Sequence, residues 1–353
     1  MRILVTGNLG YIGVVVTSAL QEAGHQVVGL DADYYFDGGF DYEDACLARS
    51  TPVGGQLWKD VRDVEPADLT GIDAVVHLAA LSNDPTGELD PVLTEAINHQ
   101  ASVGLAQAAR QAGVKRFVYS SSCSVYGQGE DHALTEDSAL HPLTAYARSK
   151  VGSEVDIARL ASSGFSPVFL RNATAYGLTR KLRFDLVANN LTGYACTTGE
   201  VRLLSDGRAW RPIAHVGDIA QAFRAALEAP RDAIHNQAFN VGSDSENYQV
   251  REIANHVAEI VPGCRVTFGE GASADSRTYN VSFAKIRRHL PAFRPTWTLE
   301  AGIRQLYEAC QAAGLTAEDF GSRKYTRLKQ LKYLIETEQL DSALRWREGV
   351  RIP

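Results

Sequence analysis

The chain has 353 residues, of which 45% are hydrophobic and 22% are charged, and its formal net charge is −7. This composition is typical of a globular protein with a buried core, and the negative charge gives the chain no overall attraction for nucleic acid. The apolar runs are shorter than a membrane span requires, and residues 1–7 lack the features of a signal peptide. We therefore expect a soluble, cytoplasmic protein.

The first half of the chain alternates between apolar strands and helices. The predicted strands are "RILVTG" (2–7), "HQVVGLD" (25–31), "DAVVHLAAL" (73–81), "KRFVYSSS" (115–122) and "SPVFLRNATAY" (166–176), and the predicted helices are "YIGVVVTSALQEAG" (11–24), "PVLTEAINHQASVGLAQAARQAG" (91–113) and "TAYARSKVGSEVDIARLAS" (144–162). Continuous apolar strands between helices predict a parallel sheet covered on both faces, which is the α/β doubly wound fold of the Rossmann type. Ligands of such sheets bind beyond the carboxyl ends of the strands.

The second half is less regular and predicts a smaller α/β domain. "VRLLSDG" (201–207) and "QAFNVGS" (237–243) resemble short strands, and "YQVREIANHVAEIVPG" (248–263) is an amphipathic helix. Near the end of the chain, Leu328, Leu331 and Ile335 have helical spacing next to several basic residues. A packed helix with a solvated basic face is the commoner cause of this pattern, and a nucleic-acid or membrane contact is the alternative.

"TGNLGYIG" places Gly7, Gly10 and Gly13 between the first strand and the first helix. Such glycines let the backbone approach a pyrophosphate, which then lies at the helix N-terminus. Asp31 ends the second strand, where a carboxylate accepts ribose hydroxyls and repels a 2′-phosphate. The pattern therefore predicts NAD in preference to NADP, and the alternative is that the glycines only pack the helix against the sheet.

"YARSK" places Tyr146 and Lys150 four residues apart on one face of a predicted helix. A nearby ammonium favours the phenolate, so we expect the pKa of Tyr146 to be lowered towards neutral. Such a tyrosine can take a proton from a substrate hydroxyl while a nicotinamide takes the hydride. A surface pair is the alternative, because this spacing is common by chance.

The five cysteines are scattered without a C-x-x-C pair: Cys46, Cys123, Cys196, Cys264 and Cys310. This pattern indicates reduced thiols in place of a disulfide framework or a structural zinc site. No histidine cluster has the spacing of metal ligands, so we predict no metal.

A series of motifs resembles the extended short-chain dehydrogenase/reductase family, in particular its nucleotide-sugar epimerase/dehydratase branch. In chain order these motifs are "TGNLGYIG", Asp31, "KDVRD", "VVHLAAL", "INHQASVGLAQAA", "SSSCSVYG", "YARSK", "LRNATAYG", "RPIAHVGDI" and "DSRTY", which extend from residue 1 to about residue 300. The resemblance implies an NAD-binding domain (1–170, with a returning segment at about 212–232) and a substrate-binding domain (171–353) for a nucleotide-diphosphate sugar. The latter would include a helical extension at about 318–353.

The resemblance also implies site residues. The implied cofactor-binding residues are Gly7, Gly10, Tyr11, Ile12, Gly13, Asp31, Asp60, Val61, Leu78, Ala79, Ala80, Asn98, Ser120, Tyr146 and Lys150. The implied catalytic residues are Ser122, Tyr146 and Lys150, and the implied substrate-binding residues are Asn83, Ser122, Ser124, Tyr146, Thr174, Asn189, Arg211 and Arg277. Arg183 is a weaker substrate candidate, Asp84 contacts the sugar or caps a turn, and His215 is expected to be structural.

The residues after Ser122 bear on the reaction. The dehydratases of this family typically carry Asp-Glu where this chain has Cys123 and Ser124, so the resemblance implies an epimerase and disfavours water elimination. A ketoreductase or dehydrogenase uses the same Ser122, Tyr146 and Lys150, and it remains the alternative. A non-catalytic NAD-binding scaffold is a third possibility, which the intact catalytic residues disfavour. By analogy we expect a homodimer through helices near residues 93–112 and 146–163.

Overall fold

The computed structural model describes residues 1–40, 51–129, 133–273, 275 and 277–349, so Cys46 lies outside the described residues. The strands are β1 (Arg2–Thr6), β2 (Gln26–Asp31), β3 (Gln56–Trp58), β4 (Ala74–His77), β5 (Arg116–Ser122), β6 (Ser166–Asn172), β7 (Thr174–Tyr176), β8 (Glu200–Ser205), β9 (Trp210–His215), β10 (Gln237–Val241), β11 (Asn247–Gln249) and β12 (Arg265–Ser273). The helices are α1 (Tyr11–Glu22), α2 (Asp84–Gly87), α3 (Pro91–Thr94), α4 (Ala101–Gln111), α5 (Ala145–Ala158), α6 (Val187–Thr198), α7 (Val216–Glu228), α8 (Arg231–Ile234), α9 (Val250–Ile260), α10 (Ala284–His289), α11 (Leu299–Ala312), α12 (Ala317–Gly321) and α13 (Arg327–Glu336).

Seven strands form one parallel sheet in the order β10-β6-β5-β4-β1-β2-β3. The chain moves outward from β1 to β2 and β3 on one side and from β4 to β10 on the other, so the strand order reverses between β1 and β4. The central strands carry almost only buried aliphatic side chains, as a sheet covered on both faces requires. The predicted doubly wound Rossmann-type fold is therefore confirmed, and its switch point marks the expected ligand crevice.

Helices cover both faces of this sheet. On one face Val16 of α1 and Phe223 of α7 pack in a single core with Ile3 and Val5 of β1. On the other face Leu105 of α4 belongs to a core that includes alternate residues of the same strands. A π-helical segment (Glu95–Gln100) joins α3 to α4, so the predicted helix over residues 91–113 is continuous over residues 91–111.

The predicted strand over residues 166–176 is two strands. β6 pairs with β5 and β10 in the large sheet, whereas β7 pairs with β9 in a three-stranded sheet of order β11-β9-β7. The chain thus leaves the large sheet at Ala173, where it enters the smaller, C-terminal half. There α6, α9 and α11 enclose a third core, with Leu191, Ile253 and Ile303 buried in it.

The C-terminal segment contributes to a core of the large-sheet half, although we assigned it to the substrate-binding half. Leu331, Leu334, Leu340 and Leu344 are buried in the core that contains Leu4 of β1. An amphipathic pattern predicts that one face of a helix is buried but does not identify its partner. The buried stripe of α13 also differs from the predicted one, because Leu328 and Ile335 are only partly buried.

The returning segment also extends further than expected. α7 packs on the large sheet, and β10, which follows the predicted limit of residue 232, is its edge strand. Across the described ranges, none of the helices combines the length and the apolar character that crossing a membrane would need.

Candidate functional site

A cavity of about 680 Å³ opens at the carboxyl ends of the strands of the large sheet. It is lined by the predicted site residues Gly7, Gly10, Tyr11, Ile12, Gly13, Asp31, Asp60, Val61, Leu78, Ala79, Ala80, Asn83, Ser120, Ser122, Ser124, Tyr146, Lys150, Thr174, Arg211 and Arg277. Asn98 and Asn189 are the predicted site residues that do not line it. The sequence motifs therefore converge on one space, from the first strand to residue 277.

The glycine loop is built for close packing. Gly7 has φ +71°, and a Cβ there would lie 2.7 Å from the backbone nitrogen of Ala79, whereas a Cβ on Gly13 would overlap the carbonyl oxygen of Gly7. α1 then begins at Tyr11, and within the described structure no side chain caps its N-terminus. The first N–H groups of α1 are thus available to an anion in the cavity.

Asp31 lies at the end of β2, beside this loop. One of its carboxylate oxygens accepts the backbone N–H of Leu9 at 3.0 Å, and the other accepts that of Asp33 at 2.8 Å. Burial raises the pKa of Asp31, and these two hydrogen bonds oppose the increase. Each oxygen keeps a further lone pair for a ligand hydroxyl.

The carboxylate of Asp60 forms ion pairs with Arg62 and Arg345. Both of its oxygens accept hydrogen bonds from the Arg62 guanidinium, at 2.9 and 2.6 Å, and Arg345 lies 3.4 Å away. The burial of Asp60 opposes ionisation, but Arg62 outweighs it and holds the pKa of Asp60 below its ordinary value. Val61, the neighbouring predicted residue, remains on the cavity wall.

Ser122, Tyr146 and Lys150 meet where β5 ends against α5. The Lys150 ammonium donates to the carbonyl oxygen of Ser120 at 2.8 Å and lies 5.6 Å from the centre of the Tyr146 ring. The Ser122 hydroxyl accepts the backbone N–H of Ser124 at 3.1 Å, and its interaction with the Tyr146 phenol acts to lower the pKa of that phenol. Cation, phenol and hydroxyl thus share one wall of the cavity.

The electrostatics of this group differ from our expectation. Burial raises the pKa of Tyr146, the negative charge of Asp84 adds to the increase, and the hydrogen bond from Ser122 opposes it. Burial also lowers the pKa of Lys150 to about 7. The expectation that the pKa of Tyr146 is lowered towards neutral is therefore corrected for the protein without ligand, because burial outweighs the opposing interactions with Ser122 and Arg183.

An ion-pair network lies in the part of the cavity formed by the smaller half. Arg211 and Arg277 both contact Asp275, at 2.8 and 2.9 Å, and Arg277 also contacts Asp84 at 2.8 Å. Asp84 further accepts the Thr144 hydroxyl at 2.7 Å. The two arginines thus lie together on the wall, and Asp84 is part of an ion-pair network, beyond the two roles we considered for it.

The two asparagines outside the cavity wall have internal partners. Asn189 is fully buried, and its amide contacts the Gly177 backbone, the Tyr11 hydroxyl and the carbonyl oxygen of Arg183. Its predicted role in substrate binding is therefore corrected to positioning Tyr11. Asn98, in the π-helical segment, pairs with both backbone groups of Leu81 and so supports the cavity wall.

Sequence reasoning missed Asn172 and Arg327. Within the described structure, the Oδ1 atom of Asn172 and the Oγ atom of Ser124 are buried without a hydrogen-bond partner, and both residues line the cavity. Unpaired buried acceptors of this kind suit a ligand that donates hydrogen bonds. The position of Asn172 at the end of β6, beside the serines of β5, was the signal available in the sequence. Arg327, from α13, also lines the cavity.

Cys123 and His215 are packed against other groups of the fold. Cys123 is buried, its thiol donates to the carbonyl oxygen of Arg171, and burial raises its pKa. His215 stacks on Trp297 at 3.7 Å between ring centres, and burial lowers its pKa to about 4.

A sequence model described as the NAD dependent epimerase/dehydratase family matches residues 3–242. The chain belongs to this family. A UDP-glucose 4-epimerase of Corynebacterium glutamicum is 31% identical to it over 275 residues, which make up 74% of this chain and 80% of that relative. The structure of MoeE5 in complex with UDP-glucose and NAD has a TM-score of 0.74 at 28% identity, over 89% of this chain and 99% of that one. TunA, an NAD-dependent NDP-hexosamine 5,6-dehydratase, has a TM-score of 0.75 at 25% identity, over 91% and 99%.

NAD is the cofactor of this epimerase/dehydratase family member, as the sequence predicts. The site residues fit it. The first-turn N–H groups of α1 suit the pyrophosphate, Asp31 suits the ribose hydroxyls, and the unpaired Asn172 Oδ1 lies in the wall between Ser120 and Thr174.

Proposed function

We propose that this protein is an epimerase of a nucleotide-diphosphate sugar that works through a transient keto-sugar. The observation that carries the proposal is the convergence of Ser122, Tyr146 and Lys150 with the glycine loop in one cavity. The relatives named UDP-glucose 4-epimerase support a nucleotide-sugar epimerase as the activity of this family member. They also make UDP-glucose and UDP-galactose the first substrates to test.

In the proposed reaction, side chains of the protein accept and return the proton of the reacting sugar hydroxyl. NAD, when bound, supplies hydride transfer from and to the sugar carbon. The Tyr146 phenolic oxygen takes the proton of the reacting hydroxyl and later returns it, while the Ser122 hydroxyl orients that oxygen. The Lys150 ammonium, fixed on the carbonyl oxygen of Ser120, places a positive charge beside the tyrosine ring and stabilises the developing phenolate.

The part of the cavity wall that contains Arg211 and Arg277 suits the diphosphate of the sugar nucleotide. Arg211 and Arg277 present two guanidinium groups held by Asp275, and planar guanidinium groups pair well with phosphate oxygens. Asp84 and Asp275 keep these arginines close together, so an incoming diphosphate exchanges with carboxylates that are already in place.

Residues after Ser122 favour an epimerase over a dehydratase. Water elimination needs an acid and a base near the sugar, but Cys123 is buried in the core and Ser124 offers only a hydroxyl. Asp84 is the carboxylate that most affects Tyr146, and it is engaged by Arg277 and Thr144. A ketoreductase or dehydrogenase keeps the same three catalytic residues and is distinguished by net turnover of NADH.

The proposal is tested by incubating the protein with UDP-glucose or UDP-galactose in heavy water and following the products by NMR. An epimer without deuterium at the inverted carbon, and without change in the absorbance of reduced nicotinamide, would support a retained hydride. Net oxidation or reduction would point to the dehydrogenase, and loss of water to a dehydratase.

Replacing Tyr146 with phenylalanine is expected to lower turnover by about 10²- to 10⁴-fold, because the proton acceptor is lost. NAD binding should change little, since the ring remains. Tyr307→Phe, on α11 and outside the cavity, is the matched control. Unchanged turnover of the Tyr146 variant would remove the residue from the mechanism.

A further inference from the structure

The segment from Thr326 to Trp346, here called the C-terminal strap, borders the cofactor part of the cavity. It comprises α13 and the residues that follow it. Leu331 and Leu334 of the strap have no exposed surface and belong to the core that includes residues of β1 and β2. The strap is therefore part of the folded Rossmann-type half and not a loose tail.

The strap is hydrogen-bonded to the loop that follows Asp31. The Tyr34 hydroxyl donates to the carbonyl oxygen of Leu344 at 2.6 Å, and the Trp346 indole donates to that of Ala32 at 2.6 Å. The Gln330 amide donates to the carbonyl oxygen of Tyr34 at 3.1 Å. Ala32 and Tyr34 line the cavity, so the strap fixes part of the cavity wall.

Arg327 is the strap residue that reaches into the cavity. It is 3% exposed and lines the cavity, and the centre of its guanidinium lies 4.0 Å from the centre of the Tyr35 ring. One of its N–H groups donates to the carbonyl oxygen of Lys181 at 3.3 Å. Within the described part of the chain, no carboxylate lies within ion-pair distance of this guanidinium. A buried guanidinium without a carboxylate partner is costly unless a ligand supplies acceptors.

The neighbours of Arg327 show which part of the cavity wall it occupies. The Arg327 backbone N–H donates to the Asp185 carboxylate at 3.3 Å, and Asp185 pairs with Arg183. The carbonyl oxygen of Arg183 and the hydroxyl of Tyr11, the first residue of α1, both accept hydrogen bonds from one amide nitrogen, that of Asn189. Arg183 is paired with Asp185 at 2.7 Å, whereas the Arg327 guanidinium has no carboxylate at ion-pair distance among the described residues and can bind an anion. The wall that Arg327 occupies is therefore the one near the glycine loop and Asp31, and it is distinct from the ion-pair network of Arg211 and Arg277.

We propose that Arg327 binds the diphosphate of the dinucleotide, so that the C-terminal strap completes the cofactor site and retains NAD. The guanidinium would supply charged donors to the phosphates, in addition to the neutral N–H groups at the start of α1. The Arg327 guanidinium stacks on the Tyr35 ring, and this contact holds the guanidinium in place before the diphosphate binds. The inference concerns cofactor binding and does not depend on the sugar or on the direction of the reaction.

The test compares full-length wild type with Arg327→Met, whose side chain keeps the apolar stem over Tyr35 but loses the charge and the donors. Lys332→Met, on the exposed face of the same helix, is the matched control. Affinities of nucleotide-free protein for NAD, ADP, adenosine and UDP are measured by calorimetry, together with the NAD that each variant retains through purification.

Arg327→Met is expected to bind NAD and ADP about 10- to 100-fold more weakly, the usual effect of losing a charge-assisted hydrogen bond. Binding of adenosine, which has no phosphate, and of UDP should change by less than about twofold. Unchanged NAD and ADP affinities would overturn the proposal, and so would an equal loss for adenosine. A loss for UDP alone would assign Arg327 to the sugar nucleotide and overturn it as well.

Arg327→Lys keeps the positive charge but loses the planar guanidinium. It replaces Arg327→Met in the test if circular dichroism shows that the methionine variant is poorly folded. We expect it to bind ADP a few-fold more weakly than wild type and adenosine equally well. Wild-type affinity for ADP in a folded lysine variant would contradict the proposal. Since every readout is nucleotide binding, failure here is distinguishable from failure of the proposed epimerase activity.

Discussion

Replacing Lys150 with methionine is expected to make the stability of the fold less dependent on pH. Lys150 is 3% exposed, and burial lowers its pKa from the ordinary 10.5 to about 7, although Glu154 opposes the shift. Between these pH values the unfolded chain binds the proton more tightly than the folded chain does. The free energy of unfolding of the wild type therefore gains a term that rises with pH across this window.

The size of this term follows from the shift. One pKa unit corresponds to about 1.36 kcal/mol, so the buried ammonium costs the folded state about 5 kcal/mol well below pH 7. Methionine keeps an apolar stem of similar length and has no titrating group. The difference in free energy of unfolding, variant minus wild type, should therefore fall by about 3 kcal/mol between about pH 7 and about pH 9.5.

The assay is urea unfolding at both pH values, followed by tryptophan fluorescence, on samples with matched NAD content. Comparing the change with pH, and not the absolute stability, cancels the lost hydrogen bond to Ser120 and the titration of other groups. Lys332→Met, which removes an exposed lysine, should leave the pH dependence as in wild type. The reasoning is refuted if Lys150→Met and wild type gain the same stability between the two pH values.

Two further outcomes test the fold around the site. Leu331→Ala should lower the free energy of unfolding by about 2–5 kcal/mol, because it leaves a cavity in the core, whereas the partly buried Leu328→Ala should cost less than half of that; equal losses would contradict the assigned packing. Burial lowers the pKa of His99, but its hydrogen bonds to Glu95 and Asp156 outweigh this and raise it above 6.5. The stabilisation by His99 is therefore complete below about pH 6.5 and lost as the pH rises through the raised value, so melting curves of His99→Gln should lack this pH-dependent term.

Local patterns in the sequence predicted the sheet, the glycine loop and the cofactor. The reason is that strand hydrophobicity, the spacing of Gly7 and Gly13 and the position of Asp31 are properties of short segments. The order of the motifs also predicted Ser122, Tyr146 and Lys150 as site residues, and the fold brings all three to one cavity. The homodimer expected through the helices near residues 93–112 and 146–163 stays a prediction.

Contacts between distant segments could not be predicted. The pairing of Arg277 with Asp84 spans 193 positions, and no local pattern distinguishes either residue from an ordinary surface charge. The burial that raises the pKa of Tyr146 depends on the whole cavity wall, whereas the sequence gives only the neighbouring lysine. The same limit applies to α13, because the sequence showed its apolar face but not the core, shared with Leu4 of β1, in which that face is buried.

The burial of Leu331 and Leu334 in the same core as Leu4 of β1 has a consequence for biosynthesis. A ribosome makes β1 long before it makes α13, and folding during synthesis begins with the segments that are made first. The core that contains Leu4 of β1 thus stays incomplete until α13 has been made. Chains that terminate before α13 lack these two leucines, so they have an open core that cellular proteases can recognise.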